Sequence, residues 1–189
     1  MNNLHGGVIL AGGKGSRLMP FTSRTPKPLL TVDGKSPLER SIMALYEANV
    51  RNVAITTGYL WEEIEKFVPD KSSDFTDLQL SYYREETPMG TSGMVFKILT
   101  SMEEDFFVIS GDVVFDFSLS DMLEFHKSKN AAVTVSAVRS SHPTEYGTII
   151  SEDGIIKSFR EKPSWKQVIS TKINTGIYIL NRRKLESCD

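Results

Sequence analysis

Val8-Ile9-Leu10-Ala11-Gly12-Gly13-Lys14-Gly15-Ser16-Arg17-Leu18, followed at 25–30 by Thr25-Pro26-Lys27-Pro28-Leu29-Leu30, is the stretch that decides the fold. A short apolar run with turn signals after it reads as a buried strand, here discharging into a glycine-rich loop that carries two cations. Glycines at 12, 13 and 15 let backbone N–H groups approach a phosphate with no side chain between, and such a nest favours negative charge before Lys14 and Arg17 add theirs. Lys27 supplies a third cation on a segment stiffened by a proline on each side. The loop is therefore an anion cradle. Two better-known phosphate loops are excluded. The dinucleotide fingerprint G-x-G-x-x-G needs glycine where Leu18 stands, and a Walker A loop needs Ser or Thr after its lysine, where Gly15 stands.

The 189 residues suit one domain large enough to bury a sizeable core. A content of 40% hydrophobic and 24% charged residues is that of an ordinary soluble globular protein. No apolar run approaches the roughly 20 residues of a membrane span, and Met1 to His5 lack the charged and apolar regions of a signal peptide, so a cytoplasmic protein without a membrane partner is expected. The single cysteine, Cys188, has no internal disulfide partner, in keeping with a reducing compartment. Net charge is only -2, yet residues 1–38 carry five cations against one acid, Asp33, so positive charge gathers at the glycine loop. A nucleic-acid binder would show a basic stripe and a high pI, whereas here the pI is about 6.0; small polyanions are the expected partners.

Outward from the loop, Ser36 caps a helix, Pro37 takes its first position and Glu39 closes a capping box, with Leu38, Ile42 and Leu45 on one apolar face. A strand at 53–57, a helix from Trp61 to Val68 stopped by Pro69, a strand at 78–82 and a helix from Thr91 to Met102 follow. This alternation implies a parallel sheet. Phe106-Phe107-Val108-Ile109-Ser110, the most apolar run, is the expected central strand, and it ends in Gly111-Asp112. Ligands in open α/β sheets lie outside the carboxyl ends of the strands, which puts Asp112 opposite the glycine loop. A helix from about Ser120 to Lys129 and a strand at 132–138 come next, then a hairpin turning at Asp153-Gly154 and a strand at 174–180. His5, His126 and His142 show no metal-site spacing, and the Met and Phe residues read as core.

The run L-A-G-G-K-G-S-R-L-x-P-x-T-x-x-x-P-K-P-L closely resembles the signature of the sugar-phosphate nucleotidyltransferases, and the resemblance extends over nearly the whole chain. It implies an α/β, Rossmann-like three-layer fold with a mixed, mostly parallel central sheet. It also implies one domain over 1–189, about 1–130 binding nucleotide and about 131–189 binding sugar phosphate, truncated at its C-terminus. The implied reaction is attack by a sugar-1-phosphate oxygen on the α-phosphorus of a nucleoside triphosphate, with pyrophosphate leaving and Mg2+ as cofactor. By resemblance, Arg17 and the backbone of Gly12 to Ser16 hold the pyrophosphate, Lys27 lies against a phosphate, and Asp112 of Ser110-Gly111-Asp112 holds the metal. Asp116, between Phe115 and Phe117, is the competing carboxylate and reads as solvent-facing. The family's second metal-binding aspartate falls beyond Asp189.

Base recognition is expected from Leu10-Ala11-Gly12 and from Glu85-Glu86-Thr87-Pro88-Met89-Gly90-Thr91, which resembles the family's P-x-G-T segment. Guanine presents two adjacent donors that one carboxylate can accept together, and two glutamates without a glutamine lean towards GTP. Tyr146-Gly147, Phe159-Arg160-Glu161-Lys162-Pro163 and Asn174-Thr175-Gly176 resemble the sugar-binding motifs, with Glu161 on hydroxyls and Lys162 on the phosphate. Trp165 reads as a lid or a packing residue. The extended wording is most similar to mannose-1-phosphate guanylyltransferases, which favours GTP and mannose-1-phosphate as the pair. The alternatives are uridylyl or thymidylyl transfer to glucose-1-phosphate, and a catalytically silent regulatory homologue. Oligomeric state, a homo-oligomer included, is left open.

Overall fold

In a computed structural model of the protein, which describes residues 4–67, 75, 77–87 and 90–187, the stretch at 8–10 is the end of a six-residue strand, β1 (His5–Leu10). Its Val8 and Ile9 are fully buried because the strand is covered on both faces and flanked on both edges. β1 pairs in parallel with β2 (Asn52–Thr57) on one side and with β4 (Met102–Ser110) on the other, while β2 pairs in parallel with β3 (Gln79–Arg84). The sheet is mixed and mostly parallel, in an α/β fold as expected.

The chain divides into two compact units: residues up to Thr134 together with those from Ile179, and Val135–Tyr178. In the first, α1 (Pro37–Glu47) buries Leu38, Ile42 and Leu45. Its Ser36 hydroxyl accepts from the Glu39 N–H at 3.2 Å; the Glu39 side chain makes no return bond among the described residues, so the expected capping box is half formed. α2 (Trp61–Lys66) ends before Val68 and Pro69, which lie outside the described residues. α4 (Leu119–Ser128) starts at the Ser118 cap and buries Leu119, Met122 and His126.

Two expectations are corrected. α3 spans Gly90–Lys97, not 91–102: a further turn at Leu99–Ser101, closed by the Ser101 hydroxyl donating to the Ile98 carbonyl at 2.6 Å, hands Met102 to the sheet. β4 is thus longer than its apolar centre, and its polar start, Glu103-Glu104-Asp105, conceals it. Asp105 accepts from the Asn181 amide at 2.6 Å and lies 3.3 Å from Nε2 of His126, whose Nδ1 meets the Thr134 hydroxyl at 2.8 Å. The second correction concerns the core. Phe21 is 74% exposed and Phe96, Phe117, Phe125, Phe159 and Met19 are also exposed, since they fall on loops and on solvent-facing positions of their elements.

The second unit holds most of β5 (Val133–Arg139) and of β8 (Lys172–Asn181), with β6 (Thr148–Glu152) and β7 (Ile155–Arg160) between them in sequence. β6 and β7 form an antiparallel hairpin whose turn residues, Asp153 (φ 50°) and Gly154 (φ 79°), both adopt positive φ, as the Asp-Gly pair requires. β6 also pairs antiparallel with β8 through Thr148 and Ile173. α5 (Arg182–Glu186) closes the described chain. No helix among the described residues is long and apolar enough to cross a membrane.

Candidate active site

Leu10 lies in register with Thr56 on one side and Ser110 on the other, so β1, β2 and β4 release their chains at one edge of the sheet. The Ala11 N–H donates to the Thr56 carbonyl at 2.9 Å and the Gly111 N–H to the Leu10 carbonyl at 2.9 Å, which ties the glycine loop to both neighbours. A Cβ on Gly111 would sit 2.7 Å from that carbonyl oxygen, so only glycine lets Asp112 start this close to the loop. Gly15, at φ 61°, turns the loop back, and its carbonyl accepts from the fully buried Thr22 hydroxyl at 3.0 Å. Lys27 opens a single helical turn (Lys27–Leu29) whose Leu29 N–H donates to the Pro26 carbonyl at 2.8 Å.

Two adjoining cavities open at this edge. The smaller, about 320 Å³, is lined by Gly13, Gly15, Ser16, Arg17, Lys27 and Asp112 among others. Inside it Lys27 and Asp112 form an ion pair, and the Ser110 hydroxyl donates to the second carboxylate oxygen at 2.8 Å. Burial works to raise the Asp112 pKa, but hydrogen bonds from Lys27 and Ser110, together with the lysine charge, outweigh it and hold the carboxyl below its ordinary value. Asp112 is the one carboxylate among that cavity's lining residues, and among the described residues no group of three or more His, Cys, Asp or Glu is assembled for a metal. Asp116 is exposed and lines a separate groove beside α1.

The larger cavity, about 820 Å³, is lined by Leu10, Gly12, Gly13, Lys14, Glu85, Glu86 and Gly90, all expected from sequence. Glu85 reaches over the loop, its Oε2 3.0 Å from where a Gly12 Cβ would be. Ala11 is buried and lines neither cavity. Pro88, Met89 and the side chain of Thr91 lie outside the described residues. Sequence reasoning missed Gly58, Tyr59, Arg84 and Met94 in the same wall. Gly58 follows β2 and Arg84 ends β3, so the strand-end rule applied to β1 and β4 would have found both. Tyr59 and Met94 carry no such signal. The Tyr59 ring centroid lies 5.9 Å from the Lys14 ammonium, and the Arg84 guanidinium stacks 4.3 Å from the Trp61 ring.

In the second unit the three expected motifs meet around Gly147. The Asn174 N–H donates to the Gly147 carbonyl at 2.8 Å and the Lys162 N–H to the Tyr146 carbonyl at 3.1 Å. The space above Gly147 is filled by the Phe159 ring and the Glu161 carboxylate, 2.4 and 2.9 Å from where a Cβ would be. Glu161 and Lys162 are exposed and 3.9 Å apart. The Asn174 side-chain Oδ1 accepts from the Gly176 N–H at 2.9 Å, whereas the Thr175 hydroxyl is directed to the Ser136 carbonyl at 3.2 Å. Trp165 is 66% exposed, which removes its packing reading.

In this α/β fold the strand ends bring the glycine loop, Arg17 and Lys27 together beside the Asp112 carboxylate. The family model described as nucleotidyl transferase matches residues 6–188, and the chain belongs to that family. It is 37% identical over 95% of its length to the mannose-1-phosphate guanylyltransferase catalytic subunit beta of Drosophila pseudoobscura pseudoobscura, covering 48% of that protein. It is 34% identical over 96% of its length to mannose-1-phosphate guanylyltransferase 1 of Arabidopsis thaliana, covering 51% of it. The chain thus spans about half the length of these curated relatives. Among solved structures, a glucose-1-phosphate thymidylyltransferase from Bacillus anthracis, described as putative, shares the fold with a TM-score of 0.84 at 23% identity, over 97% of this chain and 75% of that one.

Proposed function

We propose that the chain transfers a nucleotidyl group from a nucleoside triphosphate, GTP by preference, to a sugar-1-phosphate, mannose-1-phosphate by preference. The observation that carries this reading is the convergence of the glycine loop, Arg17, Lys27 and Asp112 on one cavity. An oxygen of the sugar phosphate attacks the α-phosphorus, the bond from that phosphorus to the bridging oxygen breaks, and pyrophosphate leaves with its electron pair. The nucleophile is already an anion, so no general base is called for, and the barrier is repulsion between two polyanions. Arg17 and the N–H groups of the glycine loop meet the departing pyrophosphate, and Lys27 offsets charge at the α-phosphate. Holding both reactants in line contributes up to about 7 to 11 kcal/mol.

Asp112 fits a magnesium ion, because Mg2+ usually takes only one or two protein carboxylates and completes its shell with phosphate oxygens and water. When bound there, the ion supplies charge neutralisation on the phosphates. Glu85 and Glu86, on the wall of the larger cavity, are assigned to the guanine donors. Tyr146, Gly147, Glu161, Lys162, Asn174, Thr175 and Gly176 are assigned to the sugar phosphate, so residues 1–130 and 131–189 divide the two substrates between them. The preference for GTP and mannose-1-phosphate draws on Glu85 and Glu86 and on the likeness to relatives named mannose-1-phosphate guanylyltransferases.

Thermal denaturation with magnesium and each of GTP, UTP, dTTP, CTP and ATP tests the reading. A nucleotide at about 100 times its dissociation constant adds roughly 2.7 kcal/mol. Selective stabilisation by GTP is expected, followed by release of pyrophosphate with mannose-1-phosphate. Stabilisation by UTP or dTTP alone would transfer the assignment to those bases, and no shift with any nucleotide would remove it. Changing Glu85 and Glu86 singly to Gln is expected to weaken GTP relative to UTP; an unchanged ratio in both variants overturns their role in reading the base.

A further inference from the structure

The smaller cavity holds its own anion and its own cation. One Asp112 oxygen accepts from the Ser110 hydroxyl and the other is paired with the Lys27 ammonium, so both are engaged before any ligand arrives. Lys27 is the cation that lies on the carboxylate: Lys14 stands by Tyr59, and Arg17 lines the cavity without an ion pair among the described residues. A divalent cation approaching Asp112 meets the ammonium on the same oxygen. A phosphate approaching Lys27 meets the carboxylate. Either ligand alone must compete with the pair for the charge it seeks, whereas both together exchange partners with it and leave no charge unmatched.

We infer that Lys27 is a built-in counter-cation of Asp112, so that a divalent cation and a phosphate enter this cavity by exchanging partners with the Lys27–Asp112 pair, each strengthening the binding of the other. The inference rests on the assignment of Asp112 to the metal. The pair suits exchange because its side chains keep 36% and 35% of their exposure, and a pair that solvent reaches opens at modest cost, whereas a buried one would leave an uncompensated charge. The Ser110 bond, on the other oxygen, can stay in place throughout and keep the carboxylate aimed. Linkage makes the coupling reciprocal: whatever factor the anion adds to cation affinity, the cation adds to anion affinity.

The test is Mn2+ binding to the whole chain without nucleotide, followed by the electron paramagnetic resonance signal of unbound Mn2+, for the wild type and for K27M, K27Q, K14M and D112N. Melting curves check that each variant folds. K27M and K27Q are expected to bind Mn2+ about fivefold tighter than wild type, in keeping with loss of a partly exposed pair. K14M, which removes a loop cation that does not touch Asp112, is expected to change affinity less than twofold. Sulfate, a feeble ligand of Mn2+ itself, at matched ionic strength, is expected to tighten Mn2+ in the wild type and not in K27M. An unaltered isotherm in both Lys27 variants, or an equal gain in K14M, overturns the exchange while leaving Asp112 as the ligand if D112N abolishes binding. Binding that survives D112N removes the metal assignment of Asp112 and the exchange with it.

Discussion

The edge of β1 and β4 in the first unit and the hairpin region of the second hold their candidate residues in opposite ways. At the first edge β1 and the second half of β4 are buried except at their last residues, and the groups facing the cavity stand on the glycine loop and its short turn, on the segment that follows β4, and in a proline-bounded turn. In the second unit every residue of β7 is exposed, as are Tyr146, Glu161 and Lys162, although the loops they stand on are tied together by backbone bonds. One region is set by the core and tolerates little change. The other presents exposed side chains on a backbone frame tied by hydrogen bonds.

The largest expected effect falls at the first edge. Asp112→Asn keeps the shape of the side chain and the Ser110 contact but removes the charge. Turnover of the whole protein with magnesium is expected to fall about 100- to 1000-fold, the usual cost of losing a transition-state electrostatic contact. Steady-state kinetics beside a melting curve checks it, and near-normal activity would take Asp112 out of the chemistry.

Two glycine substitutions probe the contrast in stability. Gly111→Ala drives a methyl to 2.7 Å from the Leu10 carbonyl oxygen, a backbone atom of a buried strand that cannot move aside. A loss of about 2 to 3 kcal/mol in urea unfolding is expected, as for other overpacked sites. Gly147→Ala meets Phe159 even closer, at 2.4 Å, but there the neighbour is the far end of an exposed ring that can rotate away. Its cost is expected to stay below about 1 kcal/mol, because what must shift is the far end of side chains and not backbone. Equal losses at the two positions would break the distinction between a fixed and a yielding region.

Much of the first edge is legible in the sequence because its signals are local. The apolar run at 8–10, the glycines and the Pro-Lys-Pro segment each report their own conformation, and the strand-end rule brings Asp112 to them. The Asp-Gly hairpin is legible for the same reason. The start of β4 is not, because Glu103, Glu104 and Asp105 break the apolar pattern, and Asp105 is accommodated by Asn181 and His126, partners remote in sequence. The exposed phenylalanines are illegible too: hydrophobicity alone does not tell which face of an element a ring takes. The Lys27–Asp112 pair joins residues 85 apart, and no periodicity reports such a contact.

Acid is expected to act on the first unit through its buried histidine. Burial lowers the His126 pKa below the ordinary 6.5 and prevails over Asp105, which raises it, with Lys184 and Lys127 adding to the lowering. The folded state therefore takes up its proton at lower pH than the unfolded chain does. Stability from the neutral imidazole is fully present above about pH 6.5 and is lost as pH falls below that value towards the folded pKa. His5, lowered by burial as well, contributes in the same direction. Urea midpoints taken from pH 7.5 down to 5 check the slope, and H126Q is expected to flatten it; an unchanged slope in that variant would leave the acid response to other groups.

The smallest expected effect sharpens the contrast most. Glu161 and Lys162 are both more than half exposed and stand 3.9 Å apart, so their attraction is screened by water and by salt. Such a pair contributes about 0 to 1 kcal/mol, and Lys162→Met is expected to shift the urea midpoint by an amount near the error of the measurement. If Lys162 meets the sugar phosphate, the same variant raises KM for that substrate while kcat changes less, because the contact is made in the ground state as well as in the transition state. Asp112→Asn does the reverse, lowering kcat most. A Lys162→Met variant that lost stability but kept its KM would mean that the second unit, unlike the first, depends on an exposed charged residue for its fold, and that its binding groups lie elsewhere.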